Sequence, residues 1–338
     1  MRLSRVEAIA NAVLYEGYML YPYRPSAVKN QQRFNFGVVS PEAKPQSAIS
    51  SELSCLWTEC LLQGSEASQV EVEVRFLQLV QRDVEIPQDC EGGSEFVAVA
   101  TVELDGRMLS TWQEAVERRV VVGPLTISGL LGNPVHQVFS FAASRETEPI
   151  YNHDGELAAR FVRHRESLIG RVEFSAQRVA PELFKISASV VNNSLFPEAA
   201  ARSHEQAMLS SFLSTHKVLR CKRGQFISLT DPPDELRDAA AACKNIGTWP
   251  VLASEQAENS DVLLSSPIIL YDYPAIAPES AGDLFDGTEI DEILALRILT
   301  MTDEEKREMR SVDDRTRAVL ERTELLGPEH FMKLHGVI

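Results

Sequence analysis

Seven carboxylates crowd into one stretch near the carboxyl end: Asp272, Glu279, Asp283, Asp286, Glu289, Asp291 and Glu292. Hard oxygens at this density are the donors that hold Mg2+, Ca2+ or Mn2+. The run Asp283-x-x-Asp286-x-x-Glu289 has no glycine at the EF-hand turn position and too little alternation to be that loop. The other account is structural: Glu289, Asp291 and Glu292 fall in a first helical turn, where each negative charge is favoured by roughly half a kcal/mol. The opposite chemistry sits near the amino end. There Tyr15, Tyr18, Tyr21, Tyr23, Arg24, Lys29, Arg33 and Phe36 form a basic, aromatic cluster. Forked arginine contacts and ring stacking suit such a cluster to a carboxylate, a phosphate or an acidic partner surface. It serves equally well as an arm that neutralises the acidic loop of its own chain. Both segments read as irregular, and binding residues concentrate on such segments. One composite binding surface is therefore expected, in which Arg24, Lys29 and Arg33, with Tyr21 and Tyr23, meet Asp272, Glu279, Asp283 and Asp286.

Other reactive residue types give weaker patterns. None of the seven histidines pairs with another at i, i+4 spacing. His204 and His216, twelve apart on one expected helix, would stand about 18 Å apart. Five scattered cysteines, Cys55, Cys60, Cys90, Cys221 and Cys243, argue against a disulfide framework and fit a reducing compartment. The sequence contains no phosphate loop, dinucleotide fingerprint, nucleophile elbow or Cys-x-x-Cys pair. No catalytic residue and no cofactor is implied, a divalent metal at the acidic loop being the alternative. A formal charge of −16, from 33 basic and 49 acidic residues, disfavours nucleic acid or an anionic membrane as the main partner. No run of roughly twenty apolar residues is long enough to span a bilayer. Glu7, Asn11 and Glu16 interrupt any secretory apolar core. The expected location is the cytoplasm.

The elements that must position these residues read as α+β: an N-terminal helix, a central antiparallel β-sandwich-like domain and a helical C-terminal region. Residues 4–20 have helical apolar spacing, with Ser4 and Glu7 as a capping box and Pro22 and Pro25 as the stop. Val70, Val72, Val74, Phe76 and Leu79 then alternate with Glu71, Glu73 and Arg75, the period of a half-buried strand. Further strands are expected over 96–104, 112–122, 136–142, 168–176 and 183–191, with Asp105-Gly106 as a hairpin turn. Helices are expected over 198–219, after Asp231-Pro232, from the Thr288-x-x-Asp291 box, and from the Thr302-x-x-Glu305 box through Val312 to Leu320. Pro267 to Tyr271 reads as a buried strand that feeds the acidic loop. The organisation is thus 1–67 (helix and basic-aromatic arm), 68–196 (β domain) and 197–338 (mainly helical, with the acidic loop 265–294).

Three segments carry a resemblance. Residues 15–30 (YEGYMLYPYRPSAVKN) with Arg33 and Phe36-Gly37, residues 247–251 (GTWPV), and the stretch from Ser265 to Leu294 (SSPIILYDYP through FDGTEIDEIL) resemble an uncharacterised bacterial protein family encoded among uptake [NiFe]-hydrogenase genes. The resemblance implies a non-enzymatic accessory or partner-binding protein linked to hydrogenase assembly or function. Its partner would be a hydrogenase subunit or maturation factor. A divalent-metal hydrolase using the Asp272–Glu292 loop is the competing expectation, and a structural subunit of a larger complex is the third.

Overall fold

Alternating apolar residues are realised here as one large antiparallel sheet with helices from both chain ends packed on it, an α+β architecture. The computed structural model describes residues 5–20, 23, 27–31, 33, 36–42, 53–90, 93–195, 204–255, 259–276, 282, 284–285 and 291–327. Helix α1 (Arg5–Tyr15) buries Val6, Ile9, Ala10, Val13 and Leu14, an apolar stripe at helical spacing. Strand β1 (Cys55–Cys90) is followed by β2 (Gly93–Val99), β3 (Thr101–Leu104), β4 (Arg107–Ser110) and β5 (Trp112–Thr126). A short helix α2 (Ile127–Leu130) precedes β6 (Val135–Phe141), β7 (Ser144–Tyr151), β8 (Leu157–Arg165), β9 (Leu168–Ala180) and β10 (Leu183–Asn192). Helix α3 (His204–Leu209) leads into β11 (Leu213–Ile227), and α4 (Arg237–Ala241) into β12 (Trp249–Leu252) and β13 (Val262–Ser266). Then come α5 (Asp291–Leu299), α6 (Asp303–Arg310) and α7 (Asp314–Glu324).

Strand β1 is the spine. Its 36 residues would exceed about 100 Å if straight, so the strand must bend. The bend lies between Gly64 and Gln69, where the ladder to β11 shifts register. Before it, β1 pairs β10 on one edge; after it, β5 and then β2 occupy that edge, while β11 and β8 take the other. Leu56, Cys60 and Leu62 from before the bend share a core with Val70, Val72, Val74 and Phe76 from after it. The bend thus folds the one sheet over a shared core. Phe76 stacks on Phe212 with ring centroids 4.5 Å apart. A second core forms on the opposite face of β1, where Leu77 and Leu79 meet Leu14, Tyr18 and Tyr23 of the N-terminal arm. Leu294, Ile298, Met309, Val312, Val319 and Leu320 of α5–α7 close it.

Two expected local signals are present as read. Asp105 (φ 51°) and Gly106 (φ 73°) turn β3 into β4, the paired positive φ of a type I′ hairpin. Thr302 and Glu305 cap α6 reciprocally. The boxes begun by Ser4 and Thr288 lie outside the described residues, as do Pro22, Pro25, His330 and His335.

Elsewhere the structure corrects the expectation. Residues 213–219 belong to β11, not to a helix over 198–219, and His204 and His216 sit on different elements. Leu213 through Leu219 are all buried, with Val218 packed toward α1 and Leu219 toward the main core. A strand covered on both faces loses its alternation. The sheet therefore extends to both sides of the span 68–196. Pro267 to Tyr271 is no buried strand either: β13 ends at Ser266, and Ile269 and Tyr271 are 73% and 87% exposed. Pro267 has no N–H to continue the ladder. The region after Asp231-Pro232 begins as a 3-10 turn at Asp234–Leu236 rather than a full helix. The last expected helix is two, because Asp313 starts α7 anew by accepting from Thr316 N at 2.8 Å.

Candidate functional site

The two chain ends do meet, through carbonyls and rings. Arg5 donates to the carbonyls of Tyr273 (2.7 Å) and Pro274 (3.1 Å). Gly17 N donates to Phe285 O at 2.8 Å and the Tyr23 hydroxyl to Leu284 O at 2.7 Å. Tyr15 and Tyr18 pack on the Phe285 ring.

The expected surface residues have other places. Tyr23 is fully buried in the second core. Arg33 is buried too: it donates to Tyr18 O (2.8 Å) and Gln113 O (2.6 Å) and lies 3.7 Å from the centroid of the Trp112 ring. Burial pushes its pKa down to about 10, so it stays charged at neutral pH and serves to pin the arm. Lys29 is exposed on a 3-10 turn. Asp272 is half-buried and uses both carboxylate oxygens. Oδ2 accepts from Ser228 Oγ (2.5 Å) and Thr230 Oγ1 (2.8 Å), and Oδ1 from Leu252 N (2.7 Å). It ties the loop after β13 to the end of β11. Tyr21, Arg24, Glu279, Asp283 and Asp286 lie outside the described residues. Among the described residues no three His, Cys, Asp or Glu side chains converge as a metal site, and no helix is long and apolar enough to cross a membrane.

The concentration of chemistry lies elsewhere, in a cleft of about 710 Å3 between the β3–β4 hairpin, β5, β8 and helices α6 and α7. Arg82 of β1, Arg107 of β4 and Arg163 of β8 line one side; Arg307, Arg310, Arg315 and Arg317 line the other. Against these seven guanidiniums stand four carboxylates, Glu114, Glu148, Asp313 and Asp314. The floor is a closed network. Glu114 accepts from Arg82 Nη1 and Arg163 Nε, both at 2.9 Å, while Arg163 Nη1 donates to Glu148 at 2.6 Å. Arg82 Nη2 also donates to Ser110 O (2.8 Å) and Ser311 O (3.1 Å), joining β4 to the α6–α7 break. Burial lowers the Arg82 pKa, and Glu114 offsets part of that.

The helical wall is held in the same way. Asp313 accepts from the Tyr18 hydroxyl, whose pKa rises well above its ordinary value through burial first and the Asp313 charge second. Arg315 lies 4.0 Å from the Tyr15 ring centroid and 3.8 Å from Glu117. Arg310 pairs with Glu324 (3.0 Å) and Arg317 with Asp314 (2.9 Å). Arg107 and Arg307 differ: both are exposed at the cleft, and neither side chain has a hydrogen bond or ion pair.

Sequence reasoning passed over this cleft, because its arginines come from four separated stretches between residues 82 and 317. The only local trace is the arginine density of 307–317 on α6 and α7. Such an arrangement can bind and orient an anion. Comparison of the chain with protein-family models and with curated proteins finds no match.

Proposed function

We propose that this protein is a non-enzymatic accessory protein that binds a protein partner, and that the arginine cleft holds an anionic group of that partner. One observation carries the reading: a chain of formal charge −16 gathers seven arginines against four carboxylates around a single cavity. A cleft lined by an excess of positive groups favours an anionic ligand more than the rest of an acidic surface does. The resemblance of residues 15–37, 247–251 and 265–294 to a hydrogenase-linked family makes a [NiFe]-hydrogenase subunit or maturation factor the proposed partner. The cysteine pattern makes the cytoplasm the proposed location. Asp272 favours this reading over a metal-dependent hydrolase, since both of its oxygens already accept hydrogen bonds within the chain.

Co-expression with uptake [NiFe]-hydrogenase subunits, followed by native mass spectrometry, tests the proposal. A stoichiometric complex that Arg307→Glu weakens is expected. The reading fails if no complex forms, or if the purified protein carries a stoichiometric divalent ion and hydrolytic turnover that Asp272→Asn abolishes.

A further inference from the structure

We infer that the ligand of the cleft is an extended acidic peptide segment of the partner, two of whose carboxylates are taken by Arg107 and Arg307; this rests on the binding reading above. The chemistry of the cleft is arginine–carboxylate throughout. Arg82 and Arg163 share Glu114, Arg310 holds Glu324, Arg315 faces Glu117 and Arg317 holds Asp314. Arg107 and Arg307 are the two that lack a carboxylate. The guanidinium fork is built for a bidentate carboxylate. Because both side chains are exposed, filling them carries little desolvation cost.

Position then favours an extended chain over a compact anion. Arg107 follows the Asp105-Gly106 turn at the start of β4, and Arg307 stands on α6. Two forks on separate elements that line one cleft can each take a carboxylate of a single extended chain. A phosphate group fits guanidinium forks too, but it gains most where the free amides of a helix N-terminus also converge on it. The start of α7 does not offer them: Asp313 accepts from Thr316 N, and Asp314 occupies the first turn. A phosphate with a charge of about −2 would also meet four resident carboxylates. A partner glutamate repeats a pairing the cleft already makes.

The test is fluorescence anisotropy with fluorescein-labelled hexaglutamate and the whole protein in 50 mM and 300 mM NaCl. Saturable binding at low salt, weakened at high salt, is expected. Arg107→Glu and Arg307→Glu should each weaken it about five-fold, and the double variant by about the product, since the two share no partner. Arg237→Glu, on α4 and paired with Asp234, controls for net charge and should leave binding within two-fold. The variants should keep the wild-type thermal midpoint because neither side chain has a partner to lose. Absence of binding, or binding indifferent to both reversals, overturns the peptide assignment. So does displacement by inorganic triphosphate at lower concentration than by unlabelled hexaglutamate. Neither result touches the co-assembly measurement, so the accessory reading stands or falls separately.

Discussion

Asp313 joins the amino-terminal arm to the wall of the cleft, and its removal gives a stability change that can be worked out in parts. Its side chain accepts from Thr316 N at 2.8 Å as the N-cap of α7 and from the Tyr18 hydroxyl. Asp313→Ala loses the cap, which costs about 1 kcal/mol. It also leaves the hydroxyl of a residue only 2% exposed without its acceptor, about 1 kcal/mol more at the low end of the range, because Tyr18 lines the cleft. The sum is about 2 kcal/mol. Asp313→Ser keeps a capping oxygen but is too short to reach Tyr18, so about half of that loss should return. Tyr18→Phe removes the orphaned donor, so the Asp313→Ala/Tyr18→Phe pair should be less damaging than its parts, with a coupling of about 1 kcal/mol. Urea unfolding at constant m-value reads each term, and hydrogen exchange should show the loss concentrated in α7. An Asp313→Ala loss below about 0.5 kcal/mol would refute the reasoning. Serine and alanine variants of equal stability, both additive with Tyr18→Phe, would refute it too.

Tyr23→Phe removes the hydroxyl that donates to Leu284 O and should lower stability by about 1 kcal/mol, with exchange rising at the Gly17 amide, which donates to the neighbouring Phe285 O. Lys217 is buried in β11, donates to Leu56 O, and has its pKa pushed down by burial to about 7. The unfolded chain binds this proton up to higher pH than the folded one, so stability should rise by about 1.5 kcal/mol between pH 7 and 8.5. Lys217→Met should flatten that rise in urea titrations, and an unchanged slope would count against it. His216 Nδ1 lies 3.0 Å from Ser214 O, and burial pushes its pKa down to about 3. The folded ring stays neutral while the unfolded one protonates below about pH 6.5, so stability should fall by about 3 kcal/mol from pH 6.5 to 4. His216→Asn should show a shallower acid limb; an identical limb would place the acid sensitivity elsewhere.

Local grammar was legible in the chain. Asp105-Gly106 demanded a tight hairpin because only residues tolerant of positive φ fit there, and Thr302 with Glu305 fixed the start of α6 because their side chains satisfy amides within one turn. The alternation from Val70 to Leu79 marked a strand, though not that its other face, with Glu73 and Arg75, is buried too, and the balance of strands and helices gave the α+β class. Where burial is two-sided the signal vanished. Leu213 to Leu219 is buried on both faces although Ser214, Thr215, His216 and Lys217 are polar, so no alternation marked it as a strand. Arg33 and Tyr23 looked like a surface cluster because polarity in sequence does not reveal that Trp112, Tyr18 and Leu284 close over them. The arginine cleft required the tertiary structure altogether. Its groups come from residues as far apart as Arg82 and Arg317, and only the bend of β1 and the docking of α6 and α7 bring them together. Periodicity and capping are set by neighbours along the chain, whereas a binding site is set by which distant side chains the packed core leaves facing one another.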